Sequence, residues 1–288
     1  MKLNISETRF DELKMLIGKE LCFSQKSIVS DKICDFEFKV FSQFGDDGII
    51  QHIISKIPKK NDSFIEFGVG HYAECNTKFL LINNNWSGFV IEGDQKSVER
   101  IDTWSDFWKY DLRCVNSFIT KENINGLMKE SGYKDLGLLH IDIDGVDYWI
   151  WEAVDCSVIN PTIVILEYNS VFGYERAVAV PYKDAYYRTD AHYSNLYWGA
   201  SLKALVDLSK RKGYKFIGCN SAGNNAYFVK QELEGFDELT VEEGFVESKY
   251  RESRNEKGML TYLRGSERLE IIKGRTVFNI ETGALEEL

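Results

Sequence analysis

Two short apolar runs, each ending in an acid, constrain this chain more than any other feature. Phe64-Ile65-Glu66-Phe67 runs into Gly68-Val69-Gly70, and Gly88-Phe89-Val90-Ile91 runs into Glu92, with a helix-periodic stretch from about Asn76 between them. Short apolar runs bounded by glycine read as buried strands, and strand–helix–strand spacing of this kind predicts a βαβ unit. The two glycines let the backbone turn tightly and approach a ligand. An acid ending the second strand can accept hydrogen bonds from both hydroxyls of a ribose. The third glycine of a dinucleotide fingerprint is missing, because Gly70 is followed by His71, Tyr72 and Ala73.

The alternation continues. Strands are expected at 63–67, 88–92, 110–115, 137–142 and 162–167, with helices at 76–84, 95–102, 121–131 and 147–154 between them. An irregular stretch at 170–195 precedes a helix at 199–212 that ends at Gly213, a glycine C-cap. Two last strands, 214–219 and 225–229, flank Asn220-Ser221-Ala222-Gly223-Asn224, a turn too short for a right-handed crossover, so they must pair antiparallel. The expected fold is α/β: a doubly wound, seven-stranded, mostly parallel sheet with an antiparallel last strand, plus N- and C-terminal extensions. The expected organisation is an N-terminal helical extension over 1–40, a central domain over 41–230, and a C-terminal cap or oligomer arm over 231–288, with a strand candidate at Arg275–Ile280.

Composition excludes several classes. A net charge of −10 opposes a protein held on nucleic acid by phosphate contacts. Cys22, Cys34, Cys75, Cys114, Cys156 and Cys219 lie far apart without a Cys-x-x-Cys, which reads as reduced thiols rather than a disulfide or zinc framework. The expected compartment is the cytosol. No apolar signal core opens the chain and no stretch reaches membrane-spanning length. The expected partner is a small-molecule or carbohydrate acceptor, without nucleic acid, with a homo-oligomer as one reading of the tail.

Acids recur at the ends of the later strands. Leu139-His140-Ile141-Asp142-Ile143-Asp144-Gly145-Val146-Asp147 ends the fourth and Ile165-Leu166-Glu167-Tyr168-Asn169 the fifth. In an open parallel sheet the ligand crevice lies beyond the carboxyl ends of the strands. With a polar turn, Ser42-Gln43-Phe44-Gly45-Asp46-Asp47, ahead of the first strand, the chain resembles the class I S-adenosylmethionine-dependent methyltransferases over roughly 40–230. More narrowly it resembles the FkbM type, which carries a Ser-Gln-x-Gly-acid-Asp turn and an Ile-Asp-x-acid-Gly-x-acid fourth strand. The resemblance implies methyl transfer from S-adenosylmethionine to a sugar or natural-product hydroxyl. A methyl donor also suits the missing glycine, since it has no pyrophosphate to seat. Here the glycine loop continues into His71-Tyr72-Ala73-Glu74-Cys75-Asn76-Thr77, longer and more polar than a simple glycine-rich run.

On this reading the cofactor-binding candidates are Gln43, Asp47, Glu66, Gly68, Gly70, Asn76, Glu92, Gly93, Asp94, Ser117 and Asp142. The catalytic candidates are Asp142, Asp144, His71 and His192. The fourth strand is also similar to metal-assisted O-methyltransferases of the macrocin type, which implies a Mg2+ or Mn2+ ion on Asp142, Glu167 and Asn169. Plainer readings stand beside these. Glu66 can be a strand-end acid that bonds a loop, the aspartates can cap the helix after the fourth strand, Gln43 and Asp47 can cap a helix at 48–56, and His140 reads as a core histidine. The stretch from Tyr182 to Tyr197, rich in Tyr, His, Asp and Arg188, suits a polar acceptor. The competing functions are a catalytically inactive S-adenosylmethionine-binding regulatory or assembly module and a nicotinamide oxidoreductase.

Overall fold

The computed structural model describes residues 7–58 and 61–288. The first six residues of the expected N-terminal extension lie outside the described residues. The chain divides into two compact units, Met1–Ser117 and Phe118–Leu288.

The first unit holds α1 (Glu7–Gln25), α2 (Asp46–Lys56), β1 (Ser63–Phe67), α3 (Lys78–Asn84), β2 (Ser87–Glu92), α4 (Gln95–Asp102) and β3 (Leu112–Asn116). β2 pairs in parallel with β1, Glu66 opposite Val90, and with β3 on its other side. Every residue of β1 is buried, as expected for a strand covered on both faces. Phe64 and Ile65 are fully buried, and each such side chain contributes roughly 1.5–3 kcal/mol. Met15, Leu21 and Cys22 of α1 pack on Phe38, Val40, Phe41 and Phe79.

The second unit holds α5 (Ile124–Ser131), β4 (Asp135–Ile141), α6 (Asp147–Ala153), β5 (Asn160–Glu167), β6 (Val178–Ala179), α7 (Arg188–Ala191), α8 (Leu202–Arg211), β7 (Tyr214–Cys219), β8 (Asn225–Lys230), α9 (Val241–Gly244), α10 (Ser266–Ile272), β9 (Thr276–Asn279) and β10 (Ala284–Glu287). β4 and β5 are parallel, whereas β8 runs antiparallel to both β5 and β7. The short turn after β7 therefore reverses one strand. α8 starts three residues later than the sequence suggests, because Ser201 accepts the Ala204 amide and caps it. Gly213 follows it with φ 87°.

The long strands form a mixed sheet of order β3-β2-β1-β4-β5-β8-β7, matching the Rossmann-like methyltransferase fold expected from the sequence. A second, small sheet, β10-β9-β6, ties the tail to the segment after β5: Val178 pairs with Asn279 and Ala179 with Phe278. Among the described residues no helix is long and apolar enough to cross a membrane.

Candidate functional site

In the first unit the glycine loop is held by two acids. Gly68 (φ 69°) and Gly70 (φ 52°) take left-handed conformations that glycine adopts without penalty. Tyr72 shares that region at φ 59°, and its buried ring and a 3.0 Å hydroxyl contact with Thr77 hold it there. Glu66 is 2% exposed. Its Oε1 accepts the Asn76 amide at 2.9 Å, and its Oε2 accepts both the amide (3.1 Å) and the hydroxyl of Thr77. The Glu66 carboxylate therefore closes the loop from Gly68 to Thr77, and Asn76 meets it through the main chain.

Glu92 ends β2 half-buried, with Oε2 accepting the Gly70 amide at 2.7 Å and Oε1 the Asp94 amide at 2.8 Å. Two main-chain donors fix the plane of its carboxylate, and each oxygen keeps a lone pair for another donor. Its carbonyl accepts from the Ser117 amide and the Asn116 side chain. Gly93 is exposed. Asp94 caps α4 by accepting from the amide and hydroxyl of Ser97, bonds that hold it below the usual carboxylate range.

The turn before α2 is a third clamp. Asp47 is 1% exposed, and its Oδ2 accepts the amides of Val40, Phe41 and Ser42 and the Ser42 hydroxyl at 2.7–2.8 Å. Asp47 folds this turn through Oδ2, while its buried Oδ1 has no hydrogen-bond partner. Gln43 is exposed, and its carbonyl accepts from Lys39. His71 is exposed at the tip of the glycine loop and lines a cleft in this unit.

In the second unit the acids face one another. β4 stops at Ile141, and the chain turns through Asp144 (φ 57°) into α6. Aspartate tolerates that conformation better than most residues. Asp147, fully buried, pins the turn by accepting the Ile143 amide at 2.9 Å and the Gly145 amide at 3.0 Å. Gly145 is required because a Cβ there would meet the Tyr186 ring at 2.5 Å.

One carboxylate oxygen from each of Asp142, Asp144 and Glu167 lies within 4.8 Å of the others. Glu167 is 6% exposed and its Oε2 has no hydrogen-bond partner. Burial and then the charge of Asp144 push Asp142 up to about 7, while a hydrogen bond with Glu167 opposes the shift. Burial and Asp142 raise Glu167 well above its ordinary value. Asp144 is exposed and ion-pairs with Arg188 at 2.8 Å, and Arg188 reaches Glu252 at 3.3 Å.

Asn169, expected beside Glu167 as a metal ligand, is engaged at both ends of its amide. Its nitrogen donates to the carbonyls of Leu196 and Trp198, each at 2.9 Å, and its oxygen accepts the Val171 amide at 3.0 Å. Asp144, read from the sequence as catalytic, joins Asp142 and Glu167 in the cluster. His192 is 5% exposed, with Nδ1 2.7 Å from the Ser194 hydroxyl and accepting the Ser194 amide at 3.3 Å. Burial and Arg275 lower its pKa, so it is a neutral ring that shapes the 192–195 turn. His140 is buried in β4, as a core histidine.

Sequence reasoning did not single out Glu252 and Tyr250, and it named Arg188 only within an aromatic stretch. Tyr250 is half-buried, and desolvation and then the charge of Glu167 raise its pKa. These residues reach the cluster because the tail folds back on the unit, with Ser170 bonded to Ser248 and Tyr168 to the Val246 carbonyl. Spacing along the chain carries no trace of that return.

No protein-family model matches the chain, and no curated protein does. Several solved structures resemble it remotely. The N-terminal domain of EvdMO1, solved in the presence of SAH and D-fucose, is 11% identical, with a TM-score of 0.40 over 80% of this chain and 99% of that one. A putative RNA methyltransferase from Pyrococcus horikoshii is 9% identical, with a TM-score of 0.40 over 75% and 98%. An S-adenosylmethionine-dependent methyltransferase from Clostridium acetobutylicum is 10% identical, with a TM-score of 0.40 over 77% and 98%.

Proposed function

We propose that this protein is an S-adenosylmethionine-dependent O-methyltransferase acting on a sugar hydroxyl, in a glycan, a nucleotide-sugar or a glycosylated metabolite. The observation that carries this reading is Glu92, whose carboxylate is fixed at the end of β2 by the Gly70 and Asp94 amides. A rigid, half-exposed acid beside two left-handed glycines is suited to the hydroxyls of a ribose. Bound there, S-adenosylmethionine supplies an electrophilic methyl group, which leaves the chain to orient the acceptor and take up its proton.

Asp142 and Glu167 fit the proton's destination. An acid raised to about 7 accepts a proton near neutral pH far better than an ordinary carboxylate. Arg188 pairs with Asp144 at 2.8 Å and opposes the burial that raises the pKa of Asp144. The same cluster fits a hard divalent cation, since it offers three oxygen ligands, one of them on a buried acid with an unpartnered oxygen. Such an ion on Asp142, Asp144 and Glu167 would lower the acceptor hydroxyl's pKa. Exposed Tyr187 and Tyr193 in the segment after β5 offer ring faces for a sugar. Tyr186 and Tyr197 spend their hydroxyls on the Tyr197 and Thr276 carbonyls.

The test is incubation with methyl-labelled S-adenosylmethionine and a panel of sugars, nucleotide-sugars and glycans, with and without chelator. Label in a sugar supports the reading. If S-adenosylhomocysteine binds but no acceptor is labelled, the protein is the inactive binding module instead.

A further inference from the structure

The first unit carries a second feature that the donor reading does not use. A cleft of about 730 Å³ is bounded by α1, the tip of the glycine loop and the end of α4. That volume is within the range of small-molecule sites, about 300–1,000 Å³. Lys14, Lys78 and Arg100 line it together with His71, against a single acid, Asp11. In a chain of net charge −10 this local excess of cations is out of character.

The cations are placed rather than scattered. The Lys78 side chain is 7% exposed, and its ammonium lies 3.2 Å from Asp11 and over the rings of Phe41 (4.6 Å) and Trp104 (5.1 Å). Lys14 stands 5.3 Å from the same Phe41 ring and 3.9 Å from Asp11. Asp11 is thus shared by two lysines, and Arg100 makes no ion pair among the described residues. The remaining wall is largely ring: Phe10, 56% exposed, and the partly exposed Trp104.

We propose that this cleft binds an organic phosphate, with the phosphate among Lys14, Lys78 and Arg100 and the ring portion against Phe10 and Trp104. Clustered cations suit a dianion better than a carboxylate, and exposed ring faces suit a nucleoside or sugar. The acidic remainder of the chain disfavours a nucleic-acid polymer. The site needs nothing from the second unit and stands independently of methyl transfer.

Calorimetry on the full chain decides it, with uridine diphosphate, glucose 1-phosphate, inorganic phosphate, uridine and glucose as probes. The two organic phosphates are expected to bind saturably, and the neutral compounds at least tenfold more weakly. Arg100→Ala and Lys14→Ala are each expected to weaken the phosphates about tenfold, the size of a lost charge-assisted bond. Phe10→Ala is expected to weaken uridine diphosphate and leave inorganic phosphate unchanged. Both cations are at least partly exposed, so unchanged melting curves establish that the variants fold. Equal binding of uridine and uridine diphosphate, or indifference to both cation substitutions, overturns the proposal. Loss of phosphate binding at saturating S-adenosylhomocysteine also overturns it, by placing the donor in the cleft. Two sources of the ligand then separate: labelled methyl on glucose 1-phosphate marks the acceptor, while uridine diphosphate that alters turnover without acquiring label marks an effector.

Discussion

Glu66 in the first unit and Glu167 in the second are both buried acids at the ends of strands, and they are solvated in opposite ways. Glu66 has its two oxygens filled by the amides of Asn76 and Thr77 and by a hydroxyl. Glu167 has an oxygen with no partner, and acids for company. Main-chain amides replace water around a carboxylate at little cost and fix it in place. Carboxylates left to one another hold their charge only at a cost, which a proton or a cation relieves. The first arrangement builds a rigid loop, and the second keeps a capacity to take up positive charge.

The largest expected effect tests that capacity. Asp142→Asn is expected to lower methyl transfer by about 10³-fold, within the range for loss of a positioned base, while S-adenosylhomocysteine affinity stays within a few-fold. Because it removes one of the mutually repelling charges, the same substitution is expected to raise the melting temperature. Activity and stability moving in opposite directions mark a functional cluster. Full activity in Asp142→Asn would move the proton acceptor elsewhere, to His71. If chelator reproduces the defect and Mg2+ or Mn2+ restores only the wild type, a metal does the work, and Glu167→Gln is expected to match Asp142→Asn.

The next effect belongs to the clamped acids. Glu66→Ala leaves three buried donors without their acceptor, and is expected to cost about 3 kcal/mol of stability, read as a lower denaturant midpoint. Glu92→Ala removes a half-exposed acid, so its expected signature is different: about tenfold weaker S-adenosylhomocysteine in calorimetry with little change in the midpoint. Equal destabilisation by the two would mean that Glu92 is only another clamp. Unchanged affinity in Glu92→Ala would remove it as the ribose acceptor.

How much of this was legible follows from the range of each interaction. The strands and the reversed β8 were legible because they follow from periodicity and from a turn too short to cross over. The Gly-x-Gly, Glu92 and the aspartates after β4 were legible because motif and acid sit together in the sequence. Whether an acid is a clamp or a reserve was not, because it depends on which amides turn back toward it. Asp47, through one oxygen, and Glu66, through both, hold loops that lie five to eleven residues away. The Asn169 amide nitrogen bonds the carbonyls of residues 196 and 198, and Glu252 reaches Arg188 through a tail that returns from far along the chain.

The smallest effect is a dependence of stability on pH, set by buried acids of both kinds. In the acid cluster the pKa of Asp142 is raised from an ordinary 3.8 to about 7, and that of Glu167 is raised as well. Between those values the folded chain binds more protons than the unfolded one. The contribution is therefore complete below about pH 4 and disappears as pH rises through 7. Asp47 and Asp147, pushed by burial to about 6, add a slope of the same sign. The melting temperature is expected to fall by a few degrees between pH 5 and pH 7.5, at about 2–4 °C per kcal/mol for a chain of this size. Asp142→Asn is expected to reduce that fall without abolishing it. Mg2+ at pH 7.5 is expected to reverse it in the wild type, against a sodium control of equal ionic strength. A melting temperature that is flat or rising over this range would mean that the cluster is already neutralised within the fold, with Arg188 as the group positioned to do so.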